Sequence, residues 1–123
     1  MPIERVLVRE GQGSYQTVKT GNTVYIMGQT ARDESGKIVG EGDIVAQLDQ
    51  IYKNIERLVG LHGGTLHDIV KTTTYITDRS QMEAVGEFRR TRYGEDYPTS
   101  TSVIVTFPAP GVMVEIEAIA YIE

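Results

Sequence analysis

Val112-Met113-Val114-Glu115-Ile116-Glu117-Ala118-Ile119-Ala120-Tyr121-Ile122 decides how this chain folds. Side chains alternate across a strand, so Glu115 and Glu117 share one face, opposite Val114, Ile116 and Ala118. A carboxylate among β-branched residues is costly to bury without partners. Each glutamate therefore needs solvent, a structural partner or a chemical task. The pattern leaves two readings open: the polar outer face of an edge strand, or a general acid/base for water at a pocket mouth.

Upstream, Pro98-Thr99-Ser100-Thr101-Ser102 runs into a strand at Val103-Ile104-Val105-Thr106-Phe107, and Pro108-Ala109-Pro110-Gly111 turns the chain back. Further upstream lies a helix over Ser80 to Gly94. Ser80 and Glu83 have capping-box spacing, Met82, Val85, Phe88 and Tyr93 form the apolar stripe, and Gly94 stops it. Residues 70–77 alternate as a strand, with Val70, Thr72, Thr74 and Ile76 on one face. A longer helix is capped by Asp43, carries Ile44, Leu48, Ile51, Ile55, Leu58 and Val59 on one face, and stops at His62-Gly63-Gly64. Gly21-Asn22 turns a hairpin between residues 17–19 and 23–29, Gly11-Gln12-Gly13-Ser14 is a loop, and residues 3–7 form a short strand. The order ββ(β)αβαββ predicts an α+β fold: one domain over 1–123, a mixed sheet, and two helices packed on one face. Threonines at 72, 73, 74, 77, 99, 101 and 106 offer a sheet face that a neighbouring subunit could cover, through Thr73 and Tyr75.

Composition narrows the function. The 123 residues carry a net charge of −5, which argues against nucleic-acid partners. Without cysteine there is no thiol nucleophile, disulfide or thiolate metal site. No apolar run reaches membrane length, and residues 1–5 lack a signal-peptide pattern, so a cytoplasmic location is expected. His62 and His67 are the only histidines. His62 reads as a helix C-terminal cap rather than a ligand, and no metal is expected. Gly63-Gly64 follows a helix and does not make a phosphate cradle. Ser100 and Ser102 lack a nucleophile elbow. Arg90 reads as a solvated cation at the helix end. Arg89 and Arg92 share a stripe with Gly86 and could reach an anion. Tyr15 is a pocket phenol or a loop anchor.

Several segments together resemble the RidA (YjgF/YER057c/UK114) family of reactive imine and enamine deaminases. They are Gly13-Ser14-Tyr15-Gln16, Tyr25-Ile26-Met27-Gly28-Gln29, the helix around Gln47 and Asn54, Asp68-Ile69-Val70-Lys71-Thr72-Thr73-Thr74-Tyr75, and Val114-Glu115-Ile116-Glu117-Ala118-Ile119-Ala120. The resemblance implies a chorismate-mutase-like fold and a homotrimer, with small-ligand pockets between subunits and no cofactor. It implies hydrolysis of small imines such as 2-iminopropanoate to a keto acid and ammonia. Glu115 matches the glutamate that holds the attacking water, Tyr15 a tyrosine lining the site, and Gly28 lies in the stretch that approaches the ligand. The family motif Pro-x-Arg-Ser, whose arginine grips the substrate carboxylate, is here Pro98-Thr99-Ser100-Thr101, and the second helix's asparagine is Gly86. A charge-assisted bond of that kind is worth about 1.5–3 kcal/mol, roughly ten- to a hundredfold in 2-imino acid affinity. Two replacements are expected. Either Arg89 or Arg92 supplies the cation, or Ser100, Thr101 and Tyr15 hold a neutral or differently shaped ligand. The rival expectation is a non-catalytic trimeric binding or regulatory protein. A ribonuclease role, attached to some relatives, is disfavoured by the acidic balance.

Overall fold

The computed structural model describes residues 2–9 and 13–123, with backbone alone over 7–9. Its elements run β1 (Ile3–Arg9), β2 (Ser14–Thr20), β3 (Thr23–Gln29), α1 (Ile44–Gly60), β4 (Ile69–Ile76), α2 (Met82–Tyr93), β5 (Thr99–Ile104) and β6 (Val114–Tyr121). They build one six-stranded sheet in the order β1-β2-β3-β6-β4-β5. Only β4 and β5 pair in parallel, because α2 returns the chain to the end where β4 began.

The C-terminal strand β6 lies inside the sheet, between β3 and β4. Its Val114, Ile116, Ala118 and Ala120 are buried, and they pack with Leu48, Ile51, Ile55, Leu58 and Val59 of α1 in one core. The opposite face carries Glu115, Glu117, Ile119 and Tyr121, with Tyr25, Lys71, Thr73 and Tyr75 from the flanking strands. Among these Tyr25 and Tyr121 are about half exposed. Both helices thus cover one face, as the element order predicts.

Gln47 is fully buried within that core. Its amide donates to the carbonyls of Gly111 (2.7 Å) and Gly40 (3.3 Å) and accepts from the Met113 backbone N–H (3.0 Å). It satisfies half-buried backbone groups of the 108–113 turn, and so ties that turn to α1.

Several local expectations are corrected. The strand expected at 103–107 is β5 at Thr99–Ile104, since pairing with β4 begins at Lys71 opposite Thr99. The cap ahead of α2 is Asp78 with Gln81, not Ser80 with Glu83. Asp78 accepts from the Ser80 N–H (2.8 Å), and Gln81 accepts from those of Thr77 and Asp78. These bonds set a short 3₁₀ turn, Arg79–Gln81, and α2 starts only at Met82, which is exposed rather than in the core stripe. Val70 is 48% exposed because the register of β4 against β6 shifts between Ile69 and Lys71. Ser14 belongs to β2 rather than a loop, and positions 10–12 lie outside the described residues. His62 is not an exposed cap. Its side chain is fully buried, with Nε2 2.8 Å from the Thr17 hydroxyl and Nδ1 3.4 Å from Glu4.

Candidate functional site

Strand β3 does not pair evenly with β6. From Ile26 to Gln29 it takes three steps while β6 takes two, from Ala118 to Ile116. The extra residue is a β-bulge, which bends the strand and re-aims its side chains. Gly28 sits in the bulge, and the half-buried Glu115 lies directly against it. A Cβ built on Gly28 would overlap the Glu115 carboxylate and come within 3.0 Å of its Cδ. Glycine is required here for close approach rather than backbone freedom, since its φ is not in the left-handed region.

Glu115 borders a cavity of about 290 Å³. Met27, Gly28, Thr30 and Arg32 form one wall, and Phe107, Pro108, Ala109 and Val112 the other. A carboxylate at the wall of a cavity that a small molecule could enter has the makings of a proton-transfer site. Two residues along β6, Glu117 is exposed and accepts from the Tyr75 hydroxyl (2.9 Å). That bond to a carboxylate raises the Tyr75 phenol above its ordinary value.

The other residues singled out in the sequence are placed as follows. Tyr15 lines a separate cavity of about 310 Å³ on the open sheet face, with Tyr25, Lys71, Thr73 and Glu117. Ser100 is hydrogen-bonded to the Thr72 hydroxyl (2.7 Å). Ser100 pairs in register with Thr72, whose β6 partner is the core-facing Ala118, whereas Glu115 pairs with Tyr75 on the other face. Within one subunit, Ser100 and Glu115 therefore lie on opposite sides of the sheet. Thr101 pairs with Thr73, on the Glu115 face of the exposed edge strand β5. Arg89 belongs to the helix layer, where its charge acts on Tyr52 and Tyr93 against the upward push of burial on both phenols. Arg92 is committed to that layer too. It donates to Asp49 (2.8 Å) and stacks over Phe88 and Tyr52, 5.0 and 5.7 Å from the ring centroids.

Arg32, Thr30, Phe107 and Val112 are site residues that the strand and helix patterns did not indicate. The signal in reach was Gly28 inside an otherwise apolar strand, which marks a bulge or a close approach. Among the described residues, no group of three His, Asp or Glu could hold a metal ion, and no helix is long and apolar enough to cross a membrane.

Residues 10–122 match the family model described as Endoribonuclease L-PSP. The chain belongs to the RidA/YjgF family. The match spans both the bulge and the Glu115 strand. The chain is 37% identical over 109 residues to a RutC family protein of Pyrococcus horikoshii, covering 88% of this chain and 86% of that one. It is 31% identical over 105 residues to the 2-iminobutanoate/2-iminopropanoate deaminase of Mus musculus, covering 85% and 78%. Among solved structures, RidA from the Antarctic bacterium Psychrobacter superposes with a TM-score of 0.85 at 37% identity, covering 96% of this chain and 94% of that one. A YjgF/YER057c/UK114 family member from Mycobacterium tuberculosis superposes at 0.84 with 34% identity, covering 98% and 100%. The family fold, with two helices on a mixed six-stranded sheet, is the one found here.

Proposed function

We propose that this protein is an imine/enamine deaminase, a hydrolase that converts a small reactive C=N metabolite to a carbonyl compound and ammonia. The observation that carries this reading is Glu115 seated on the Gly28 bulge at the wall of a cavity of about 290 Å³. The deaminase names of relatives such as the mouse protein support it. An imine carbon is already electrophilic, so the reaction needs only an oriented water and a proton carrier. Water adds its oxygen to the carbon while Glu115 takes its proton. The proton passes to nitrogen, and the carbinolamine collapses to the carbonyl with loss of ammonia.

The pocket is completed between subunits of a homotrimer. The support is geometric: Ser100 and Glu115 lie on opposite faces of one sheet, so a ligand touching both needs two chains. Tyr25, Tyr121 and Val103 on the open face, each at least 40% exposed, offer an apolar surface for such contact. Ser100, Thr101 and Tyr15 orient the ligand there. With serine at position 100 in place of the family's arginine, the substrate is not the usual 2-imino acid.

The test generates imines without a 2-carboxylate in situ, from primary amines with an amine oxidase, and follows carbonyl release above the spontaneous rate. Glu115→Gln should cut that acceleration by about a hundredfold or more, and unchanged acceleration would remove Glu115 from the mechanism. The Ser100 substitution also favours a second reading, a trimeric small-ligand-binding protein without turnover. Saturable binding of metabolites with no acceleration of any imine would establish it.

A further inference from the structure

Beside the Glu115 cavity lies a larger one of about 520 Å³, between the 28–36 loop and α1. The two share Met27, Gly28, Thr30 and Arg32. The larger cavity is also lined by Asn54 and Arg57 of α1, three residues apart and so on one side of the helix.

Hydrogen bonds hold the loop to α1. The Asn54 amide donates to the carbonyls of Thr30 (3.3 Å) and Arg32 (3.0 Å), and itself accepts from Gln50 (2.9 Å). Among the described residues, the Arg32 guanidinium donates once, to the Gly36 carbonyl (2.8 Å), leaving most of its five N–H groups for other partners. Among the described residues, the Arg57 side chain has no hydrogen bond or ion pair. Two carboxylates border the same space. Asp33 is turned into its own loop, accepting from the N–H of Ser35 (2.9 Å), its hydroxyl (2.7 Å) and the N–H of Lys37 (3.1 Å). Glu34 is exposed.

We propose that this cavity binds the anionic group of the substrate, with Arg32 and Arg57 as its anchors in place of the cation absent at Ser100. The inference rests on the deaminase reading for the position of the C=N group. The second-helix cations are engaged elsewhere: Arg92 is bound to Asp49, Arg90 to Glu87 (3.0 Å), and Arg89 lies in the helix layer. Arg32 and Arg57 line a cavity that adjoins the one containing Glu115. Arg32 lines both cavities but Arg57 only the larger one, so an anion held by both guanidinium groups lies toward α1, away from Glu115. The substrate class is therefore an imine or enamine whose carboxylate lies several bonds from the C=N, not on the neighbouring carbon.

Calorimetry on the full chain with three carbonyl compounds, analogues of the hydrolysis product, tests this. 4-Oxopentanoate carries a remote carboxylate, pyruvate an adjacent one, and pentan-2-one none. 4-Oxopentanoate should bind tightest, and Arg32→Gln and Arg57→Gln should each weaken it by about tenfold or more. Pentan-2-one binding should not change in either variant. Arginine variants within twofold of the parent, or pyruvate binding tighter than 4-oxopentanoate, would overturn the assignment. Circular dichroism of both variants confirms that the fold is intact. Failure of the deaminase reading looks different: Glu115→Gln leaves imine turnover unchanged while the arginine-dependent binding persists.

Discussion

Gly28→Ala tests the contact on which the site is built. The new methyl group would overlap the Glu115 carboxylate and lie 3.0 Å from Cδ and 3.2 Å from Cγ, so the whole end of the side chain must turn away. Overpacking of this kind costs about 1–3 kcal/mol, and a side chain that can rotate places it near the lower end, about 1–2 kcal/mol. The backbone adds no strain, because Gly28 is not among the glycines with positive φ. Where alanine fits the native backbone, glycine-to-alanine changes stabilise by about 0.4–1 kcal/mol through the unfolded chain. The sign of the effect therefore depends on Glu115. In the parent, Gly28→Ala should destabilise; in a Glu115→Ala background it should be neutral or stabilising. Urea unfolding of the four proteins gives the coupling, expected at about 1–2 kcal/mol. Equal effects of Gly28→Ala in both backgrounds would show that the carboxylate does not rest on the bulge. In the deaminase assay the same variant should lose about a hundredfold, the usual consequence of a catalytic group displaced by about 1 Å.

Other outcomes follow from the same coordinates. Gln47→Leu should destabilise the fold by about 1–3 kcal/mol in urea titrations, since it leaves the half-buried Gly111 carbonyl and Met113 N–H without their partner. Ser100→Arg should raise kcat/KM for 2-imino acids by about ten- to a hundredfold; no gain would refute the missing-cation account. The bond from Arg92, then that from Lys53, holds the Asp49 carboxyl below its ordinary 3.8. A depressed folded-state value means this stabilisation is complete above the ordinary value and lost as pH falls through the lower folded one. The stability gap between the parent and Arg92→Gln should therefore be constant well above pH 3.8 and narrow as the pH falls below it, leaving the ring-stacking part. A gap independent of pH would mean that the ion pair contributes nothing.

What the chain reveals by itself is what repeats locally. The apolar spacing from Leu48 to Val59 makes α1 legible, because a 3.6-residue period has one solution. Alternation does the same for β6 and separates Glu115 from Val114 and Ile116. The Gly21-Asn22 hairpin reads directly from turn chemistry. Where two caps competed, the local pattern misled. Ser80-Glu83 has the right spacing, yet Asp78 and Gln81 capture the backbone donors first.

The site depends on register, which no single segment contains. That Gly28 faces Glu115 follows from a bulge between strands almost ninety residues apart in sequence. That Ser100 and Glu115 occupy opposite faces follows from how β5 and β6 each pair with β4. A one-residue slip in either ladder would reverse that outcome. The adjoining positions of Arg32 and Arg57 depend on Asn54 pinning a loop to a helix. Periodicity places a residue on a face of its own element, and only the packing of elements against one another decides which faces meet.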